Sequence, residues 1–72
     1  METIEIHSEY IRLDQALKLA SLVSSGAEAK LLVRDGRVRY NGEVCTMRGK
    51  KCRPGDTVSL GEESFTITRT ED

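Results

Sequence analysis

The chain has no tryptophan, two tyrosines, one phenylalanine, one histidine, one proline and two cysteines in 72 residues. Each scarcity removes a class of function. With Tyr10, Tyr40 and Phe65 as the whole aromatic set, the series of exposed rings on which single-strand binders stack successive bases is missing. His7 has no second histidine and no paired nucleophile to work with, so it reads as a surface residue and no catalytic constellation emerges. Cys45 and Cys52, with His7 far away in sequence, match no usual zinc-ligand set and read as two reduced thiols. Neither metal nor cofactor is expected. The longest apolar run, 31–33, falls far short of the roughly 20 residues that span a bilayer, and nothing reads as a signal peptide. A cytoplasmic protein without membrane contact is the expectation. A chain of this length should form a single domain, 1–72, burying only about 60% of its unfolded surface. Little is left to build an enclosing cleft, which favours a binding module over an enzyme.

What the chain does have is charge, unevenly placed. Eleven basic and twelve acidic residues give a net charge of -1. Between Lys30 and Arg53, however, eight basic residues (Lys30, Arg34, Arg37, Arg39, Arg48, Lys50, Lys51, Arg53) stand against Asp35 and Glu43, a local balance of +6 that leaves -7 for the remainder. Such segregation creates a positive surface able to steer a polyanion even on a slightly acidic protein.

The local patterns predict an α+β order. "TIEI" alternates like a short strand with one buried face, suited to a sheet edge. Leu13, Ala16, Leu17 and Ala20 recur at helical spacing, predicting a first helix over about 12–20 with Asp14 in its first turn. Ser25-Gly26-Ala27-Glu28 matches a capping box, and the helix it opens should reach Asp35 and stop at Gly36. Lys30, Arg34 and Arg37, spaced by four and three, would share one face of that helix, with Ala29, Leu32 and Val33 on another. Two short helices joined by a few residues must pack together. A strand over 37–40, the Asn41-Gly42 hairpin signal and a return strand over 43–46 follow. "MRGKK", a glycine among cations, reads as an exposed loop. Pro54-Gly55-Asp56 turns into "TVSL", and "GEES" turns into "FTITR". Phe65 should be core, Tyr40 should follow Val38 inward, and residues 70–72 should fray.

Taken in order, "RLDQAL", "AKLLVRDGRVRYNG" and "RPGD" resemble the S4 RNA-binding domain family, over about 11–60. The resemblance implies an S4-like fold of the alpha-L type: two packed helices followed by a small, mostly antiparallel twisted sheet, with the helix pair and hairpin facing RNA. Arg12 stands at the family's basic position opening helix one and Asp14 at its acidic position. Lys30, Arg34 and Arg37 match the cationic stretch that follows. Many S4 domains carry Ser-Arg at the start of helix two, where this chain has Ser25-Gly26. Two readings stand open there: the uncovered helix amides receive a phosphate, or glycine permits close packing. Asn41 is foremost a turn residue and secondarily a phosphate contact. Arg39, Arg48, Lys50, Lys51 and Arg53 would extend the footprint, with Gly49 allowing close approach. The variant is similar to compact, stand-alone bacterial S4 proteins associated with ribosomes. The implied partner is structured RNA, ribosomal RNA or a ribosomal particle, bound by a monomer during ribosome assembly or quality control. The rival reading is a protein-interaction adaptor whose basic face meets an acidic partner.

Overall fold

The two helices of this small domain open by different devices, and the devices decide where the charged side chains go. The computed structural model describes residues 2–70. Helix α2 (Gly26–Arg34) opens as its sequence demands: the Ser25 hydroxyl accepts from the Glu28 amide at 3.2 Å, and the Glu28 carboxylate accepts from the Ser24 amide at 3.1 Å, one residue before the cap. It closes in a Schellman motif. Gly36, at φ +75°, donates its amide to the Val33 carbonyl, and Arg37 donates to the Leu32 carbonyl, both at 3.1 Å. The helix therefore ends at Arg34, and Arg37 lies outside it. The reading of Lys30, Arg34 and Arg37 as one helical face is corrected on this point, because the helical period does not survive the left-handed glycine.

Helix α1 (Leu13–Leu19) has no side-chain cap; its N-cap residue is Arg12. Instead, the Leu13 amide donates to the Lys50 carbonyl at 2.9 Å and the Asp14 amide to the Arg48 carbonyl at 3.1 Å. The Gln15 amide is taken by the Asp14 carboxylate at 2.8 Å. Three amides that a helix start leaves unsatisfied are thus met. The segment supplying two of the acceptors is "MRGKK", which is no free loop. Its end joins strand β5 (Lys51–Cys52), which pairs antiparallel with β2 (Ile11–Arg12), setting Arg12 opposite Lys51 and Ile11 opposite Cys52. The expected exposed loop holds over 47–50, where Met47, Arg48 and Gly49 are exposed, but its docking on the start of α1 and the entry of Lys51 into β5 have no sequence signature, because main-chain pairing leaves no hydrophobic pattern.

The principal sheet runs β1-β7-β6-β3-β4, comprising β1 (Glu2–Ile6), β3 (Val38–Tyr40), β4 (Glu43–Val44), β6 (Thr57–Leu60) and β7 (Glu63–Arg69). Every neighbouring pair is antiparallel except β1 and β7, which run parallel with Ile4 opposite Ile67. The hairpin between β3 and β4 turns on Asn41 and Gly42, at φ +52° and +88°, the pair of positive angles its turn needs. The return strand stops at Val44, shorter than expected, though Cys45 still donates to the Val38 carbonyl at 2.9 Å.

Period-two alternation turns Ile4, Ile6, Val38, Val58, Phe65 and Ile67 inward, where Leu13, Ala16 and Leu17 of α1 and Ala29 and Val33 of α2 meet them. Phe65 is the largest fully buried side chain, and burying a ring of this kind contributes about 1.5–3 kcal/mol. Cys52 is equally buried and belongs to this core. Of the residues expected to fray, Thr70 donates its amide to the Ile6 carbonyl at 3.1 Å; 71–72 lie outside the described residues.

Candidate nucleic-acid interface

The capping of α1 by main-chain carbonyls has an electrostatic consequence. Arg48, Lys50 and Lys51 are anchored by their backbones around the start of the helix that Arg12 opens. Arg12 is oriented as well: its Nη2 lies 3.2 Å from Oδ2 of Asp14, a carboxylate almost wholly buried at the helix start, while the arginine side chain stays half exposed. An ion pair this open adds little stability, on the order of 0–1 kcal/mol, so its main effect is to set the direction of the guanidinium. Lys30 and Arg34, one turn apart on α2, line a shallow depression of about 200 Å³ together with Thr46 and Arg48. Arg48 is thereby common to both groups. Lys30, Arg34 and Arg48 thus form a cationic band, and main-chain bonds set Arg12, Lys50 and Lys51 at the segment that continues it. Thr46 is a member that the sequence did not single out, since an isolated threonine in a loop carries no signal.

Arg37 and Arg39 lie apart from this band. They line a second depression, of about 550 Å³, with Leu32, Gly36, Ser59, Leu60 and Gly61. The Arg39 guanidinium donates to the Gly42 carbonyl at 3.4 Å. At the start of α2, a Cβ added to Gly26 would meet nothing within 4 Å, so close packing does not explain this glycine. The Ser25 hydroxyl is engaged in capping, and Glu28 brings a carboxylate to the same helix end.

A third cluster forms around Asp56. The Tyr40 hydroxyl and the Arg53 amide, the latter at 2.8 Å, donate to Oδ2, and the Asn41 side-chain amide donates to Oδ1 at 3.3 Å. Burial works against the charged carboxylate, but these three hydrogen bonds and the Lys50 ammonium outweigh it and hold its pKa below the ordinary value. Burial, followed by the hydrogen bond to Asp56 and its charge, pushes the Tyr40 hydroxyl up to about 12. Asn41 is further committed through its side-chain oxygen, which accepts from the Thr57 amide at 2.8 Å, so its amide group fastens the hairpin to β6. Lys50 Nζ stands 5.2 Å from the centre of the Tyr40 ring. The Asp56 cluster thus joins the hairpin to the end of the capping segment, and Arg53 is held at its turn by the main chain.

Two adjoining segments and one helix face that present six cations from rigid backbone can hold several phosphates at fixed spacing. Among the described residues no group of three or more His, Cys, Asp and Glu is placed to hold a metal ion, and no helix is long and apolar enough to cross a membrane.

Comparison with known proteins places this geometry in a family. The S4 domain model matches residues 4–68. A probable ribosome maturation protein, RlbA, of Bacillus subtilis is 40% identical over 65 residues, covering 89% of this chain and 92% of its own length. The small ribosomal subunit protein uS4 of Syntrophotalea carbinolica is 38% identical over 61 residues, or 85% of this chain, but these amount to only 29% of that protein. The solution structure of YbcJ from Escherichia coli, described as revealing an alfaL motif involved in RNA-binding, superposes with a TM-score of 0.74 at 32% identity, over 94% of this chain and 87% of that one. With a family match spanning nearly the whole chain and a shared helix-pair-and-sheet architecture, this protein belongs to the S4 domain family.

Proposed function

We propose that the chain binds structured RNA, and that its target is ribosomal RNA met during maturation or quality control of a ribosomal particle. The observation that supports the reading is the main-chain docking of Arg48 and Lys50 on the start of α1, with Arg48 in the depression that Lys30 and Arg34 line. A folded RNA presents phosphates closely spaced on a rigid frame, and a rigid band of cations matches that spacing with little ordering cost. The relatives named for ribosome maturation and for the small ribosomal subunit support a ribosomal target. In this reading the binding unit is a monomer acting in the cytoplasm. Arg37, Arg39 and Arg53 contribute at the margin, and Asn41 and Ser25 act by shaping the backbone.

The test is a titration of a structured ribosomal RNA fragment and an unstructured RNA of equal length across a salt series. Neutralisation of about four to six phosphates gives a log–log slope of roughly -3 to -5, and the structured RNA binds more tightly at every salt. Lys30→Ala combined with Arg34→Ala and Arg48→Ala weakens binding and flattens the slope by about two to three while the circular dichroism spectrum is retained. Equal affinity for both RNAs would reduce the band to a nonspecific cationic patch, and no binding at low salt would favour the adaptor reading.

A further inference from the structure

We propose that Tyr10 is a stacking site for one unpaired RNA base at the rim of the cationic band, an inference that rests on the RNA-binding reading above. Of the three aromatic residues, Phe65 is buried and Tyr40 packs against the core with its hydroxyl on Asp56, whereas Tyr10 is 40% exposed. Its backbone is nonetheless ordered. The Ser8 hydroxyl donates to the Tyr10 carbonyl at 2.7 Å, and the next two residues are β2, locked to β5. The same pairing places Lys51 opposite Arg12, and Lys51 Nζ sits 5.0 Å from the centre of the Tyr10 ring. Ring and ammonium therefore meet beside a two-stranded ribbon on which Arg12 lies opposite Lys51.

A nucleotide carries the complementary groups, a flat base and a phosphate joined through one sugar. The tyrosine ring offers a π-face to any base, and the lysine and arginine offer cations to its phosphate. In the free protein the ammonium lies over the ring, held by the ring quadrupole. A docked phosphate is a stronger electrostatic partner for that ammonium, so Lys51 swings to the backbone and yields the ring face to the base. Lys50 over Tyr40 is no second site of this kind, because that ring packs on the core. A single platform suits a bulged or flipped-out nucleotide beside a duplex and does not suit a run of single strand, which agrees with the scarcity of aromatic residues.

Two RNA hairpins with the same stem, one carrying a single bulged adenosine and one fully paired, test the proposal. Their affinities are measured by anisotropy at one salt concentration for the unmodified protein, Tyr10→Leu and Tyr10→Phe, with thermal melts to verify that the exposed substitutions leave the fold intact. The unmodified protein prefers the bulged hairpin by roughly fivefold or more. Tyr10→Leu loses the preference while keeping its affinity for the paired hairpin, and Tyr10→Phe keeps both. With 2-aminopurine at the bulge, fluorescence is quenched by the unmodified protein and by Tyr10→Phe but not by Tyr10→Leu. Equal affinity for the two hairpins, or a preference that survives in Tyr10→Leu, overturns the stacking site and leaves RNA binding standing. Failure to bind either hairpin overturns both.

Discussion

The hydroxyl of Tyr40 donates to the carboxylate of Asp56, 16 residues further along, and this bond fastens the β3 strand to the turn that follows the cationic capping segment. Asp56 holds two further donors there, the Arg53 amide and the Asn41 side chain.

Removing the hydroxyl alone, in Tyr40→Phe, is expected to cost about 1–2 kcal/mol, and Asp56→Ala about 2–3 kcal/mol because more donors lose their acceptor. In a domain of this size each kcal/mol lowers the Tm by roughly 4–8 °C, so calorimetry resolves the two variants. Equal melting of Tyr40→Phe and the unmodified protein would contradict the bond.

The same pair sets the pH range of stability. Asp56 is depressed in the fold, so its contribution is complete above its unfolded value, near 4, and is lost as pH falls through the lower folded value. Tyr40 is raised, so the neutral hydroxyl stabilises fully below 10.0, and that part disappears between 10.0 and about 12 as the unfolded chain ionises first. Melts across pH should show both limbs, and Tyr40→Phe should shrink the alkaline one to the part that the raised Cys52 thiol contributes.

Helix α1 supplies a measurement of the docked segment. First-turn amides usually exchange quickly, but those of Leu13 and Asp14 donate to Lys50 and Arg48 and should exchange as slowly as amides in the sheet. Native-state hydrogen exchange by NMR reads this directly. Rapid exchange at both positions would mean that "MRGKK" is undocked.

The two thiols should differ sharply in reactivity. Burial, then the charges of Asp56 and Cys45, push the Cys52 thiol up to about 12, whereas Cys45 is only partly buried. Alkylation of the native protein should add one label, at Cys45, by peptide mass spectrometry. Cys52→Ser places a hydroxyl in the core and is expected to cost about 1–3 kcal/mol, while Cys45→Ser leaves RNA binding unchanged.

Single substitutions can separate the two arginine groups. Arg34→Ala, within the band, should weaken RNA binding roughly tenfold, as expected for loss of a charge-assisted contact. Arg37→Ala, beyond the helix end, should do less at the same salt. A larger effect at Arg37 would move the interface toward the depression it shares with Arg39.

The features legible in the sequence are those specified locally. Ser25 with Glu28, Gly36, and Asn41 with Gly42 each encode their own backbone geometry within four residues, and the apolar spacing of Leu13, Ala16 and Leu17 marks the buried face of α1. The β2–β5 ribbon leaves no mark in the sequence because two-residue strands have no period and are held by main-chain bonds between distant segments. The position of Arg37 is not legible for a related reason. Counting by threes and fours is meaningful only while the helix lasts, and the Schellman bonds at Gly36 and Arg37 change the direction of the chain. The convergence of Arg48 with Lys30 and Arg34 depends on that same distant docking and has no local signature.

The parallel pairing of β1 with β7 joins the first strand of the sheet to the last, with Glu2 opposite Phe65 and Ile6 opposite Arg69. During synthesis, Ile4 and Ile6 emerge early and find their strand partner only when β7 has left the ribosome. The hairpin and helix pair can assemble on the nascent chain, but the sheet edge cannot. Closure of the core therefore waits on a contact between the two ends of the described chain, and any truncation reaching β7 leaves the opening strand without a place in the sheet.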